Sequence, residues 1–163
     1  MIRHQPIRVY ADTSVFGGVF DAEFQTDSRM FFDQVELGRF QLVVSAIIEQ
    51  ELMSAPKEVR AFFDHVLPMA ERVTVSDDTR LLRDAYINSG IVTENHLADA
   101  FHVALATVAG CRLIVSWNFR HIVHFDKIPM YNGINKVMGY DEIAIHSPQE
   151  VIEYEANARE KDI

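Results

Sequence analysis

Residues 7–16 read IRVYADTSVF, and the reading of this stretch decides the fold. Ile7 to Ala11 carries the β-branched and aromatic side chains that suit a strand. Asp12-Thr13-Ser14 then supplies three residues that favour turns and helix caps. If this strand opens an alternating series of strands and helices, Asp12 stands at a strand's carboxyl end, where open parallel sheets bind ligands. If it does not, Asp12 only closes a turn. The local sequence leaves both readings open.

The rest of the chain supplies the series. A helix is expected over about 26–38, capped by Thr26 or Asp27 and ended by Gly38. FQLVVS (40–45) is a second strand, and Ser45 caps a helix running to about Met53. Residues 58–67 read as helix up to Pro68, and ERVTVS (71–76) as an extended segment. Ser76-Asp77 opens a helix that ends at Asn88-Ser89-Gly90. Thr93 opens the next, which reaches Ala109 and stops at Gly110. RLIVS (112–116) is a buried strand, and residues 120–137 look helical but irregular, with Pro129 inside. IAIHS (143–147) is a last strand, and PQEVIEYE (148–155) a last helix with Pro148 in its first turn. Strands alternating with helices of this length predict a three-layer α/β/α fold around a twisted, mainly parallel sheet of four to five strands. The domain spans 1–147, with a C-terminal helix and acidic tail over 148–163.

Composition bounds the partners. The chain has 163 residues, 48% of them hydrophobic, enough for one domain with a sizeable core. Its single cysteine, Cys111, rules out an intramolecular disulfide. The N-terminus has no continuous apolar run of the signal-peptide kind, and no stretch approaches a membrane span, so a cytoplasmic protein is expected. The net charge of −9 argues at first against nucleic acid. Seven acids and two bases fall in residues 141–163, however, which leaves −4 on the rest. Residues 112–140 run the other way, with Arg112, Arg120, Lys127 and Lys136 against Asp126.

Three carboxylates need an explanation. Asp12 ends the first strand. Asp99 lies in HLADAFHVALATVAG, where the only polar side chains from Leu97 to Ala109 are Asp99, His102 and Thr107. Leu97, Phe101, Ala104, Leu105 and Val108 share one stripe at about 100° per residue, which marks the core contact. Asp99 points the other way, beside His102, Val103 and Ala106, onto a face that is also poor in solvating groups. With the helix opening at Thr93, Asp99 lies more than a turn inside it, beyond the help of a cap. It needs an ion pair, hydrogen bonds or a metal. In SAIIEQELM, Ile47, Ile48 and Leu52 define the apolar side, which places Glu51 inward and Glu49 toward solvent.

Other polar groups cluster at the strand ends. Asn118, after the strand 112–116, offers an amide oxygen that can ligate a hard cation or hold a water. Trp117 is either core or a surface on which a base can stack. His96-x-x-Asp99-x-x-His102 has a metal-like look, but His102 is out of phase with the other two. Without cysteine pairs or an HExxH pattern, an oxygen-ligand set for Mg²⁺ or Mn²⁺ suits the sequence better than zinc.

The ordered set of motifs resembles the PIN domain. The set comprises Asp12-Thr13-Ser14 after the first strand, Ser45 through Glu51-Leu52, Asp99-Ala100-Phe101-His102, and Ser116-Trp117-Asn118. The resemblance spans about residues 7–147 and is nearest to small prokaryotic PIN proteins, including VapC-type toxins of toxin–antitoxin pairs. It implies a metal-dependent ribonuclease in which Asp12, Glu51 and Asp99 hold Mg²⁺ or Mn²⁺. Asn118 stands at a fourth position that is often an aspartate in that family, which weakens the case for two tightly held ions. Ser14, Trp117 and Arg120 become candidate substrate contacts. The implied partners are RNA, a cognate antitoxin and a second copy of the chain.

Two rival readings remain. ADTS is close to the Asp-Thr-Gly of aspartic proteases, but Ser14 replaces the glycine, and those proteins are all-β. A PIN-like fold that has lost catalysis and serves as a binding module is the other. The retention of three inward acids weighs against it, because unneeded buried acids destabilise.

Overall fold

The computed structural model describes residues 5–153. Five strands form one sheet in the order β3-β2-β1-β4-β5, and every pairing is parallel. The strands are β1 (Ile7–Ala11), β2 (Phe40–Ser45), β3 (Glu71–Val73), β4 (Leu113–Val115) and β5 (Ala144–His146). The helices are α1 (Thr13–Gly18), α2 (Gln25–Glu36), α3 (Ala46–Leu52), α4 (Lys57–Val66), α5 (Asp77–Asn88), α6 (Leu97–Val108), α7 (Ile128–Val137) and α8 (Pro148–Val151). The result is the three-layer α/β/α fold that the alternation predicts. It excludes the all-β protease reading outright.

The buried strands explain the topology. Val9, Tyr10, Ala11, Leu42, Val43, Val44, Ile114 and Val115 are fully buried, as expected for parallel strands covered on both faces. Helices α1, α2, α4 and α8 pack together, as do α5, α6 and α7. Helices end where expected: Gly38 and Gly110 both take positive φ, a region that favours glycine. At Gly110 the chain turns back so that Cys111 N–H donates to the Ala106 carbonyl.

Several local expectations change. Helix α1 follows β1 directly, although the six-residue TSVFGG segment with two glycines carries almost no helical pattern. Residues 120–127 form turns, and α7 begins only at Ile128, so Pro129 sits in its first turn. A short 3₁₀ turn over Glu94–His96 precedes α6, so Asp99 falls in the first turn of α6, where the helix dipole favours an anion. The buried side of α6 also differs. Ala104 and Leu105 of the expected stripe are buried, but so are Ala100, His102, Val103 and Ala106, whereas Leu97 is 38% exposed and the Phe101 ring lies under Arg83. The part of the last predicted helix beyond Glu153 lies outside the described residues, with most of the acidic tail.

Candidate active site at the carboxyl edge of the sheet

The strand order sets the location. From β1 the chain adds β2 and then β3 on one side, and crosses back to place β4 on the other. That reversal marks the carboxyl ends of β1 and β4 as the edge where open parallel sheets bind ligands. Ala11 is in register with Val115, so Asp12 and Ser116 leave the sheet side by side, and Asp12 N–H donates to the Val115 carbonyl at 3.3 Å.

Asp12 is not a side-chain cap. It occupies the position before α1 with extended backbone, yet its carboxylate makes no cap hydrogen bond. Two serines hold it instead. Ser14 Oγ donates to Oδ1 at 2.5 Å, and Ser116 Oγ donates to Oδ2 at 2.7 Å. Each serine also accepts a backbone N–H from the chain leaving β4, Trp117 on Ser14 and Asn118 on Ser116, both at 2.9 Å. The carboxylate is 4% exposed. Burial pushes its pKa above the ordinary value. The positive charge of His102 and the two serines oppose that shift, and the negative charge of Glu51 adds to it.

Glu51 comes from the end of α3. Its side chain is 36% exposed, against 29% for Glu49, so the expected inward–outward contrast is wrong in terms of burial. Direction, not depth, separates the two. Glu49 pairs with Arg72 at 2.5 Å, whereas Glu51 Oε1 pairs with His102 Nε2 and accepts from Thr13 Oγ1 at 3.1 Å. His102 is 2% exposed, and its Nδ1 meets the Tyr10 hydroxyl at 2.7 Å. Tyr10 OH in turn lies 2.8 Å from Ser45 Oγ, the cap of α3. Burial favours neutral forms here, but the His102–Glu51 contact outweighs it. His102 is held above its ordinary pKa and Glu51 below its own. A protonated His102 donates from both ring nitrogens, which fits both contacts.

Asp99 has no arginine partner among the described residues. Asn118 Nδ2 donates to Asp99 Oδ1 at 2.9 Å, and His96 Nδ1 lies 3.6 Å from Oδ2. Burial raises the Asp99 pKa, against the pull of His121, His102 and His96, and Glu51 raises it further. Asn118 takes a role the sequence did not suggest. Its amide oxygen accepts the N–H groups of Arg120 at 3.2 Å and His121 at 3.0 Å. Both lone pairs are then engaged, so Asn118 orients Asp99 and ties the loop rather than offering a ligand.

The remaining candidates separate. Trp117 is buried, stacks on Phe24 with centroids 4.3 Å apart, and donates from its indole N–H to Ser28 Oγ at 2.9 Å. Its packing is close enough that a Cβ on Gly18 would stand 2.8 Å from the indole nitrogen. The core reading replaces the base-stacking one. Arg120 is exposed in the loop just after Asn118. Lys127 donates to the Ile91 carbonyl at 2.6 Å, and Lys136 pairs with Glu142 at 3.2 Å.

Asp12, Glu51 and Asp99 therefore come to one sheet edge from three elements, the charge of Glu51 raises the pKa of both aspartates, and no lysine or arginine pairs with any of them among the described residues. If all three are ionised and His102 is protonated, two negative charges remain, the deficit one divalent cation fills. The donors fit Mg²⁺ or Mn²⁺, which take hard oxygens; Mg²⁺ in particular binds through one or two carboxylates and keeps several waters. The three acids do not bring three donor atoms within 4.8 Å of one another. Among the described residues, the group that does so is His96, Asp99 and His121. His96 and Asp99 have metal-like spacing in the sequence, but nothing local joins them to His121, which arrives from the loop after β4. Burial, followed by the charge of His96, holds the His121 pKa below its ordinary value.

No protein-family model and no curated protein matches the chain. Solved structures do. One is VapBC2 from Rickettsia felis bound to a DNA fragment from their promoter, with 12% identity and a TM-score of 0.55, covering 86% of this chain and 98% of that one. Another is FitAcB from Neisseria gonorrhoeae, with 14% identity and a TM-score of 0.55, covering 88% of this chain and 99% of that one. These findings correct the PIN-domain, VapC-like assignment drawn from short motifs: at such identity, and without a family match, what the chain shares with these structures is a fold.

Proposed function

We propose that the carboxyl edge is a metal-dependent phosphodiesterase site that cleaves RNA. The observation that carries this reading is the buried, serine-held Asp12 in a group of acids that lacks a lysine or arginine counter-charge. Asp12, Glu51 and Asp99 would hold Mg²⁺ or Mn²⁺. The bound ion would supply a water acidic enough to attack and a Lewis acid for the phosphoryl oxygen.

The chain's own groups do the positioning. Ser14 and Ser116 fix both oxygens of Asp12. His102, backed by Tyr10, keeps Glu51 ionised and aimed at the edge. Asn118 turns Asp99 by one oxygen and leaves Oδ2 for other use. Arg120, exposed two residues after Asn118, suits a phosphate of the RNA backbone. The paired names VapBC2 and FitAcB support a second feature, a partner protein of antitoxin type, for which a small neighbouring reading frame encoding a DNA-binding protein is the natural candidate.

The test is RNA cleavage by purified protein with Mg²⁺ or Mn²⁺, beside the chelated control and Asp99→Asn. Cleavage that needs the ion and disappears in the variant is the expected result. Calorimetry that detects neither ion on the protein overturns the reading.

A further inference from the structure

We infer that His96, Asp99 and His121 form a second, nitrogen-rich metal site for a transition ion of the Zn²⁺ class, adjoining the carboxylate edge. A ring nitrogen from each histidine and a carboxylate oxygen of Asp99 all lie within 4.8 Å of one another. Metal–ligand bonds of about 2.0–2.2 Å put tetrahedral ligands about 3.3–3.6 Å apart, so closure takes small side-chain rotations.

Three independent features point to a ligand here. First, the two imidazoles come from separate elements, the turn before α6 and the loop after β4, yet stack with centroids 3.7 Å apart. Secondly, His121 Nδ1 is buried and has no hydrogen-bond partner among the described residues, which leaves a nitrogen unsatisfied. Thirdly, Asn118 occupies Asp99 Oδ1, while Oδ2 faces His96. Asn118 also receives the His121 backbone N–H, so one side chain positions two of the three ligands.

The donor set decides the ion. Two imidazoles and one carboxylate suit Zn²⁺, Co²⁺, Ni²⁺ or Fe²⁺ and are poor for Mg²⁺, which demands oxygen. Three protein ligands leave a coordination position open to water. The site is distinct from the oxygen-ligand edge in chemistry and shares only Asp99 with it. It does not rest on the hydrolase reading, since binding of the ion needs no RNA cleavage.

The experiment uses untagged full-length protein titrated with Co²⁺, followed by its visible d–d absorption and by calorimetry in excess Mg²⁺. The expected result is one equivalent of Co²⁺ that Mg²⁺ does not displace and Zn²⁺ does. His96→Ala and His121→Ala should each weaken binding by about 100-fold or more, beyond what loss of an outer-shell partner does. His65→Ala, which removes an exposed histidine on α4, should change nothing. Absence of Co²⁺ binding, binding unchanged in His121→Ala, or an equal loss in His65→Ala overturns the site. Far-UV circular dichroism of each variant separates lost ligands from lost fold. Absence of RNA cleavage would bear only on the other reading.

Discussion

The two ends of the sheet handle charge in opposite ways. At the amino end, Arg8 on β1 makes a bidentate pair with Glu71 on β3, at 2.8 and 3.1 Å, and its third nitrogen donates to the Ala109 carbonyl at 2.7 Å. Each charge there has a matching partner. At the carboxyl end, Asp12, Glu51 and Asp99 share hydroxyls, an amide and histidines, and among the described residues no lysine or arginine pairs with them. Both ends belong to the same strands, so the contrast is not one of secondary structure. One end is arranged for stability, and the other holds repulsion that a ligand can relieve.

Neutralising the carboxyl end should break the contrast most sharply. Asp12→Asn is expected to cut metal-dependent cleavage on the order of 100-fold or more. It should also raise the melting temperature of the metal-free protein. Burial raises the Asp12 pKa in the fold above its ordinary 3.8. An acid of raised pKa weighs fully against folding above that raised value; the penalty fades as pH falls from there to the ordinary value and is gone below it. The variant should therefore gain stability at neutral pH and lose the gain in acid. Thermal melts across pH check it, and a variant less stable than wild type at neutral pH would mean that the serine hydrogen bonds outweigh the buried charge.

The histidine between Glu51 and Tyr10 tests how the carboxyl end stays folded. His102→Ala removes a buried partner from both, and the expected destabilisation is about 3 kcal/mol. Tyr10→Phe removes only the far contact and should cost about 1 kcal/mol. The two losses should not add, because both substitutions interrupt one chain of contacts. Urea unfolding of metal-free protein measures them, and a loss below about 0.5 kcal/mol for His102→Ala would show the pair to be ornamental.

The sheet and most helices were legible in the sequence because β-branched runs, serine caps and terminal glycines are local signals. FQLVVS became β2 with its expected bounds, and Ser45 and Ser76 cap as read. The position of Asp12 at the carboxyl edge of the sheet followed from the alternation; that of Asp99 did not. What the sequence hid was tertiary. Asn118 has an amide oxygen whichever way its loop folds; only the folded loop spends that oxygen on Arg120 and His121. His121 has no periodic relation to His96, and only the path from β4 brings the rings together. Trp117 is enclosed by Phe24 and Ser28, contacts that no local pattern in the sequence announces.

The amino end offers the smallest and most discriminating measurement. Arg8 and Glu71 have well-matched geometry, but their side chains are 34% and 45% exposed. Water screens such a pair, so a double-mutant cycle of Arg8→Ala and Glu71→Ala should give a coupling below about 1 kcal/mol. Arg8→Ala alone should cost somewhat more than Glu71→Ala, because only the arginine also reaches the Ala109 carbonyl at the end of α6. That carbonyl is one of the last of the helix, where a cation is favoured by the dipole. None of these changes should alter metal binding at the opposite edge. If Arg8→Ala weakens it, the two ends are coupled through β1 and the separation of stability from function along the strand is wrong.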